Sequence, residues 1–147
     1  MLKVTNTEVF GWEAAIRRMR NQLKSWEKSD SRWHGEFIYA TGMPIWDIGP
    51  NDLTLMKKLV ATGSDCSKFM RMIHVQCDWE SPLLSSSYLQ KATMDFNYAV
   101  LRNMYHARKA HKQDEWRTDF CNWVKTLPYS ELITMTKEEL LESIKEE

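Results

Sequence analysis

The stretch LQKATMDFNYAVLRNMYHARK, residues 89–109, decides the fold because it holds a long, regular pattern of apolar residues. The apolar side chains recur at spacings of three and four, which places them on one face of an α-helix. They are Leu89, Ala92, Phe96, Ala99, Val100, Met104 and Ala107. The pattern predicts a central helix that ends near Lys109 or His111.

The N-terminal residues predict another helix. Thr5 and Glu8 have the spacing of a capping box, in which a hydroxyl and a carboxylate satisfy backbone amides at a helix start. Apolar residues follow at helical spacing: Val9, Trp12, Ala15, Ile16, Met19 and Leu23. The opposite face is basic, which is typical of a solvated helix face and also suits contacts with phosphate. Its residues are Arg17, Arg18, Arg20 and Lys24.

Short strands are predicted between the helices. Residues 36–40 read EFIYA and favour a strand, while the glycines and prolines of residues 42–50 predict a loop anchored by its large apolar side chains. Residues 70–78 alternate apolar and polar side chains from Ile73 onward. That period of two is typical of a half-buried strand and predicts a second one.

Capping signals predict the remaining helices. Asn51 or Asp52 can cap a helix over residues 53–61, which a following glycine can end. Asp114 can cap another over residues 116–127. The buried face of that helix would hold Trp116, Phe120, Trp123, Val124 and Leu127. A second capping box, at Thr136 and Glu139, opens an acidic C-terminal helix with Leu140, Leu141 and Ile144 as its apolar positions.

The composition fits one globular domain. The chain has 147 residues, of which 43% are hydrophobic and 27% are charged. The patterns together predict a helix-rich α+β fold of about five helices with a small antiparallel sheet, in a single domain over residues 1–147. The 20 basic and 20 acidic side chains balance, so no net field favours nucleic acid or an anionic membrane.

The compartment signals favour a cytoplasmic protein. No apolar stretch approaches the roughly 18 residues that a membrane span needs, and residues 1–8 lack the apolar run of a signal peptide. Cys66, Cys77 and Cys121 are widely spaced and form no C-x-x-C pair. They are therefore expected to be buried, reduced thiols and not a disulfide framework or a zinc site.

The motifs do not form a complete catalytic or metal-binding signature. Ser25 and Lys28 fit S-x-x-K, in which a lysine activates a serine, but the companion motifs are missing. His106 and His111 are five residues apart, which separates them by about 140° around a helix. The five glycines are scattered and predict no phosphate-binding loop. We therefore expect no catalytic residue and no metal site.

The segment NYAVLRNMYHAR, residues 97–108, is similar to the N-A-R-x-L-x-x-F-x-x-x-R helix of flavin-dependent thymidylate synthases, the ThyX family. The matching residues are Asn97, Leu101 and Arg108. His111, Gln113 and Glu115 resemble that family's H-A-Q-W-E segment if one residue is dropped from the spacing. In the family this region closes over flavin and pyrimidine nucleotide. Over nearly its whole length the chain resembles small thymidylate-synthase-like proteins carried by phages and prophages of Gram-positive bacteria.

The chain departs from this family where the family's chemistry resides. An R-H-R-x(7)-S signature, which grips the flavin and the nucleotide phosphate, should follow the strand near Cys77, and no R-H-R triplet occurs in the sequence. Arginine forks are efficient binders of phosphate, and a flavin must be positioned before hydride can move. The resemblance therefore implies a degenerate relative that is not an enzyme, with FAD bound only if the family activity survives.

The family match and the local positive charge coincide at the end of the central helix, where we predict binding of a ligand or a partner. The candidate residues are Asn97, Arg102, Arg108, Lys109, His111, Lys112, Gln113 and Glu115. A second candidate patch is the basic face of the first helix, formed by Arg17, Arg20 and Lys24. An ordinary solvated helix end, favoured by the helix dipole, is the alternative interpretation.

Three functions from different classes remain open. The first is a non-catalytic phage-type binding protein that inhibits or sequesters a host defence factor such as a CRISPR effector, which is an argument by analogy. The second is a protein that binds a nucleotide or a nucleotide-derived signal without turnover. The third is an active flavin-dependent thymidylate synthase. Members of that family are tetramers, so the resemblance also implies a homo-oligomer.

Overall fold

The computed structural model describes residues 2–37, 44–82, 89–110 and 116–146. The chain divides into two compact units, each built from two separate segments. Unit 1 comprises Met1–Phe10 and His74–Met135, and unit 2 comprises Gly11–Ile73 and Thr136–Glu147. A single domain over the whole chain stays a prediction.

The described residues form a helix-rich α+β fold. In chain order the elements are β1 (Lys3–Phe10), α1 (Trp12–Gln22), β2 (Arg32–Phe37), β3 (Pro44–Asp47), α2 (Pro50–Thr62), β4 (His74–Pro82), β5 (Leu89–Asn97), α3 (Tyr98–Ala110), α4 (Arg117–Lys125), α5 (Glu131–Thr134) and α6 (Lys137–Lys145). Short 3-10 turns lie at Trp26–Lys28 and Lys68–Met72. The predicted fold class is confirmed, because the described residues form a small antiparallel sheet and more of them lie in helices than in strands.

Unit 1 is organised around an antiparallel sheet in the spatial order β1-β4-β5. The predicted alternation from Ile73 is confirmed, because Val75 and Cys77 are buried while the residues between them are more exposed. The apolar face of helix α4 packs on the face of the sheet that carries Trp79 of β4. The Trp79 ring contacts the rings of Trp116, Phe120 and Trp123. The predicted buried face is confirmed for Phe120, Trp123 and Val124 of α4 and for Leu127 just after the helix, whereas Trp116 at its N-terminal end is only half-buried.

The capping box predicted at Thr5 and Glu8 is wrong, because these residues lie in strand β1. The strand pairs with β4 from Lys3 opposite Glu80 to Phe10 opposite His74. Its sequence KVTNTEVF is rich in β-branched residues, which suit a pleated, half-buried surface. Hydrogen bonds with β4, a strand about seventy residues away in the chain, outweigh the local capping signal. A short-range sequence pattern carries no information about such a distant partner.

Helix α1 begins later than predicted, after Gly11. This glycine has φ 96°, in the left-handed region that disfavours other residues. A Cβ at this position would also collide with the carbonyl oxygen of Met72 in the neighbouring 3-10 turn. Gly11 therefore ends β1 and lets the backbone turn into α1 while it passes close to the carbonyl group of Met72.

The first half of the predicted central helix is wrong, because residues 89–97 form strand β5. The nine residues of β5 pair with β4 along its whole length. The segment satisfies both periods, since Ala92, Met94 and Phe96 also alternate with more polar residues. The pairing with β4 decides between them, and helix α3 begins only at Tyr98.

The polypeptide between α1 and α2 also differs from the prediction. Strand β2 begins earlier than the predicted strand over residues 36–40, whose last three residues lie outside the described ones. Strand β3 occupies a stretch predicted as loop, because it pairs antiparallel with β2. Pro44 is the first residue of β3, a position where the missing N–H of proline is tolerated.

Unit 2 contains α1, α2 and α6. Helix α6 packs on α2, and its Leu140 is fully buried, whereas Leu141 is exposed. The predicted capping box of α6 is confirmed, because Thr136 Oγ1 accepts from the Glu139 amide at 3.2 Å and Glu139 Oε2 accepts from the Thr136 amide at 3.0 Å. None of the helices in the described part of the chain has both the length and the hydropathy of a membrane span.

The three cysteines are free, and their burial differs. Cys77 is buried as predicted, whereas Cys66 and Cys121 are half-buried. Burial, and then the charge of Asp78, raise the pKa of the Cys77 thiol to about 11. The Cys77 thiol is therefore protonated and unreactive at neutral pH.

Candidate functional site

The predicted site residues Asn97 and Arg102 both bind the protein's own backbone. Asn97 Oδ1 accepts from the Val100 amide at 2.9 Å and so caps the start of α3. Arg102 Nη1 donates to the carbonyl oxygens at the end of α5, namely those of Leu132 (2.9 Å), Ile133 (3.3 Å) and Met135 (2.7 Å). Those carbonyls have no partner within the helix. Arg102 therefore stabilises the C-terminal end of α5, and burial lowers its pKa.

The rest of the predicted site is described only in part. Arg108 and Lys109 belong to the last residues of α3, which places them beyond Tyr105 on the same helix. The remaining predicted residues lie outside the described ones: His111, Lys112, Gln113 and Glu115.

The predicted place of Arg20 on the solvated basic face of α1 is wrong, while binding at the second predicted patch stays a prediction. Arg17 and Lys24 are exposed, but Arg20 is only 5% exposed, so it does not belong to a solvated basic face. Arg20 Nε donates to Asp52 Oδ1 at 2.8 Å, and its Nη1 donates to Ser25 Oγ at 3.3 Å. A buried guanidinium requires such a partner, and the partner is 32 residues away in the sequence.

Asp52 is the centre of this buried network and does not cap α2 as predicted. Its Oδ2 accepts from the hydroxyls of Ser29 and Ser31, each at 2.6 Å, and from the Ser31 amide at 3.2 Å. The cap of α2 comes from Asp30, whose carboxylate accepts from the amides of Asn51 (2.8 Å) and Asp52 (3.1 Å). The segment around Asp30 is therefore fastened to the start of α2 by two carboxylates.

An open groove lies in unit 1, between α3 and α4. It has a volume of about 200 Å³ and is lined by Tyr105, Arg117, Thr118, Cys121, Asn122 and Lys125. Arg117 and Lys125 give it a positive charge, and Thr118 and Asn122 add hydrogen-bonding groups. This combination suits an anionic group such as a carboxylate or a phosphate.

Sequence reasoning missed this groove although a signal was present. Arg117, Cys121 and Lys125 recur at a spacing of four, which places them on one face of α4. The helix predicted over residues 116–127 rests on the apolar face alone. The polar face is the one that borders Tyr105 of α3 in the structure.

A second, larger cleft lies in unit 2. Its volume is about 530 Å³, and its lining combines two cationic groups, one carboxylate and two uncharged polar residues. The residues are Arg20, Glu27, Lys28, Asn51 and Thr54. Arg20 borders the cleft while its guanidinium is held by Asp52, so Lys28 is the exposed cation at this site.

Truncation of Arg102 tests whether this residue is structural. Arg102→Ala is expected to lower the free energy of unfolding by about 1.5–3 kcal/mol, because it removes charge-assisted hydrogen bonds to otherwise unpaired carbonyls. Urea denaturation followed by circular dichroism measures the change. Arg17→Ala on the exposed face of α1 is the matched control and should cost less than about 0.5 kcal/mol. Equal effects of the two variants would show that Arg102 does not stabilise α5.

Among the described residues no three His, Cys, Asp or Glu side chains are grouped to hold a metal ion. Comparisons with family models, with curated proteins and with solved structures give no match for this chain. The resemblance to flavin-dependent thymidylate synthases therefore stays a prediction.

Proposed function

We propose that this chain is a non-catalytic binding protein whose groove between α3 and α4 receives an anionic group of a partner protein. The observation that carries the proposal is that two cationic side chains, Arg117 and Lys125, line the same groove. Thr118 and Asn122, which lie between them on α4, add hydrogen-bonding groups. Cationic groups with adjacent donors recognise carboxylates and phosphates. Positive charge at a partner-binding site also accelerates encounter with an acidic surface.

The volume of the groove favours a protein partner over a free nucleotide. Pockets that enclose a drug-sized ligand measure about 300–1,000 Å³. The groove measures about 200 Å³, which fits a single acidic side chain better than a base, a sugar and a phosphate together. The partner is therefore a protein with an exposed acidic surface. In the phage context that the resemblance implies, this partner is a host defence protein such as a CRISPR effector.

The use of Arg102 supports binding without turnover. This arginine lies in the segment that resembles the nucleotide-covering helix of flavin-dependent thymidylate synthases. Its Nη1 instead donates to three carbonyls of the same unit. A guanidinium engaged in this way has less capacity to grip a substrate phosphate. We therefore propose neither a bound flavin nor a catalytic residue for this chain.

Charge reversal in the groove tests the proposal. The double variant Arg117→Glu/Lys125→Glu should weaken binding of the partner about tenfold or more, since it replaces attraction by repulsion at the contact. The measurement is affinity capture from a bacterial lysate, followed by titration of the captured protein. The loss should shrink at high salt, because screening already weakens the wild-type contact.

The matched control for this experiment is Arg17→Glu/Arg18→Glu, which changes the charge equally on the exposed face of α1. This control should bind the partner like wild type. Equal weakening by both double variants would show that only net charge matters and would contradict a specific site in the groove.

Binding of a nucleotide is the second candidate, and the cleft of unit 2 favours it. Its volume of about 530 Å³ lies within the range that encloses a small ligand. Lys28 offers a cation for a phosphate, while Asn51 and Thr54 offer polar groups for a base or a sugar. A titration with deoxyuridylate, followed at the amide signals of Lys28, Asn51 and Thr54, distinguishes this site from the groove.

A further inference from the structure

We infer that two copies of this chain pair edge to edge through strand β5, as antiparallel strands related by a twofold axis. In the described part of the chain β5 has a strand neighbour on one side, β4, so its other side is a sheet edge. Such an edge presents a row of N–H and C=O groups that can pair with another strand. The inference goes beyond the proposed groove, which lies on helices and not on this edge.

The exposure of β5 shows that the strand is accessible. Lys91, Ala92 and Thr93 are exposed in succession, and Asp95 is exposed as well. Successive side chains of a strand point to opposite faces of the sheet. Exposure at consecutive positions therefore means that neither face is covered at the middle of β5, and a second strand can approach there.

The charges on β5 are complementary to those of a second copy in one symmetric register. Thr93 is the midpoint of the nine-residue strand Leu89–Asn97. Pairing of two strands about Thr93 therefore aligns the whole length of both. In this register Lys91 lies opposite Asp95 of the partner subunit, and Asp95 lies opposite Lys91 of the partner subunit. Opposite charges at directly facing positions stabilise an antiparallel pair.

Neighbouring registers lack this complementarity. A twofold axis at Ala92 sets Lys91 opposite Thr93, and an axis at Met94 sets Asp95 opposite Thr93, so no ion pair forms in either case. An axis at Lys91 or at Asp95 places a residue opposite its own copy and brings like charges together. The sequence of β5 thus selects the register that also gives the longest pairing.

The current neighbours of the two charged residues leave them able to reach a second strand. Lys91 Nζ lies 3.9 Å from Asp78 Oδ2, and its side chain is 59% exposed. Asp95 Oδ1 lies 3.7 Å from His74 Nδ1, and its side chain is 58% exposed. Contacts this long between exposed groups are weak. They hold both side chains on one face of the sheet, which is the face where the intermolecular pairs would form.

The other edge of the sheet is less suited to pairing. Strand β1 has an irregular register between Thr5 and Glu8, and Asn6 has φ 53°. Such bulges twist an edge away from a straight partner. Pairing through β5 alone uses the same surface on both copies, so it closes as a dimer and does not extend into a filament.

Sedimentation velocity over a range of concentrations tests the dimer. Wild type should show a monomer–dimer equilibrium. Lys91→Asp and Asp95→Lys should each weaken it about tenfold, because each sets like charges opposite each other at both pairs. An equimolar mixture of the two variants should dimerise like wild type, since opposite charges face each other again. The double variant Lys91→Asp/Asp95→Lys should also dimerise, because it exchanges the two charges.

Three results would overturn the inference: wild type that is monomeric at every concentration, single variants that dimerise as tightly as wild type, or a mixture that dimerises no better than its components. Circular dichroism of each variant checks that the fold is kept. A variant that fails to fold is replaced by its neutral form, Lys91→Gln or Asp95→Asn, which should weaken the dimer by less than charge reversal. Neutral forms that leave the dimer unchanged would also count against the register.

Discussion

Asp52→Ala is expected to lower the free energy of unfolding by about 3–5 kcal/mol, because it leaves the Arg20 guanidinium buried without its counter-charge. Asp52 is fully buried and Arg20 is 5% exposed, so water is a poor replacement for the lost carboxylate. The variant also removes the acceptor of the Ser29 and Ser31 hydroxyls. Since the free energy of unfolding of a whole domain is about 5–15 kcal/mol, the variant should lose a large fraction of its stability.

Urea denaturation followed by circular dichroism measures this loss. Asp65→Ala is the matched control, because Asp65 is exposed in the same unit and the chemical change is identical. The control should change the free energy of unfolding by less than about 0.5 kcal/mol. A loss for Asp52→Ala that is no larger than this would show that the buried pair contributes nothing to stability.

The pH dependence of stability follows from the same network. Burial by itself raises the pKa of Asp52, but hydrogen bonds from Ser29, Ser31 and Arg20, together with the charge of Arg20, outweigh it and lower the pKa. The contribution of Asp52 is therefore fully present above its unfolded pKa of about 3.9 and is lost as the pH falls through the folded pKa. The difference in stability between wild type and Asp52→Ala should narrow accordingly below about pH 4.

Trp123→Ala is also expected to lower the free energy of unfolding by about 3–5 kcal/mol, because truncation of a buried aromatic side chain leaves a cavity. Trp123 is 9% exposed, and its ring centroid lies 6.0 Å from that of Phe120, 6.3 Å from that of Trp79 and 6.4 Å from that of Phe96. Its Nε1 donates to Thr7 Oγ1 at 3.1 Å. The side chain thus joins α4 to all three strands of the sheet.

The melting temperature measured by circular dichroism checks this prediction. Trp26→Ala is the matched control, because Trp26 is 46% exposed. The control should lower the melting temperature by only about one or two degrees. Trp123→Ala should lower it by about 6–20 °C or unfold the protein, because 1 kcal/mol shifts the melting temperature by about 2–4 °C in chains near 150 residues. Similar shifts for both variants would contradict the assignment of Trp123 to the core.

Local signals in the sequence predicted the elements that short-range physics determines. The capping box at Thr136 and Glu139, the buried face of α4 and the alternation in β4 depend on residues within a few positions of each other. A capping hydrogen bond or an amphipathic face needs no distant partner to be recognised. These predictions were accordingly confirmed.

The errors arose where a distant partner decides the structure. Residues 89–97 carry both a helical and an alternating pattern, and only the presence of β4 selects the strand. Strand β1 likewise forms because β4 offers it hydrogen bonds. The sequence pattern places Arg20 on a basic face because its partner, Asp52, lies on another helix. Spacing along one helix cannot reveal a charge pair between two helices.

The candidate site shows the same division. The apolar pattern predicts the helix over residues 98–108 correctly. The hydrogen bonds of Arg102, however, depend on α5, a helix for which the sequence shows no recognised pattern. The groove combines Tyr105 of α3 with the polar face of α4. Its cationic residues could have been found from their spacing, but their position beside α3 could not.

An NMR titration of the isotope-labelled protein tests the proposed groove most directly. The probes are an acidic peptide of glutamates and, separately, deoxyuridylate. The acidic peptide should shift the amide signals of Arg117, Cys121 and Lys125 in a saturable way, and Arg117→Glu/Lys125→Glu should abolish the shifts. If the peptide leaves these signals unchanged while deoxyuridylate shifts those of Lys28, Asn51 and Thr54, the binding site is the cleft of unit 2 and the proposed function is wrong.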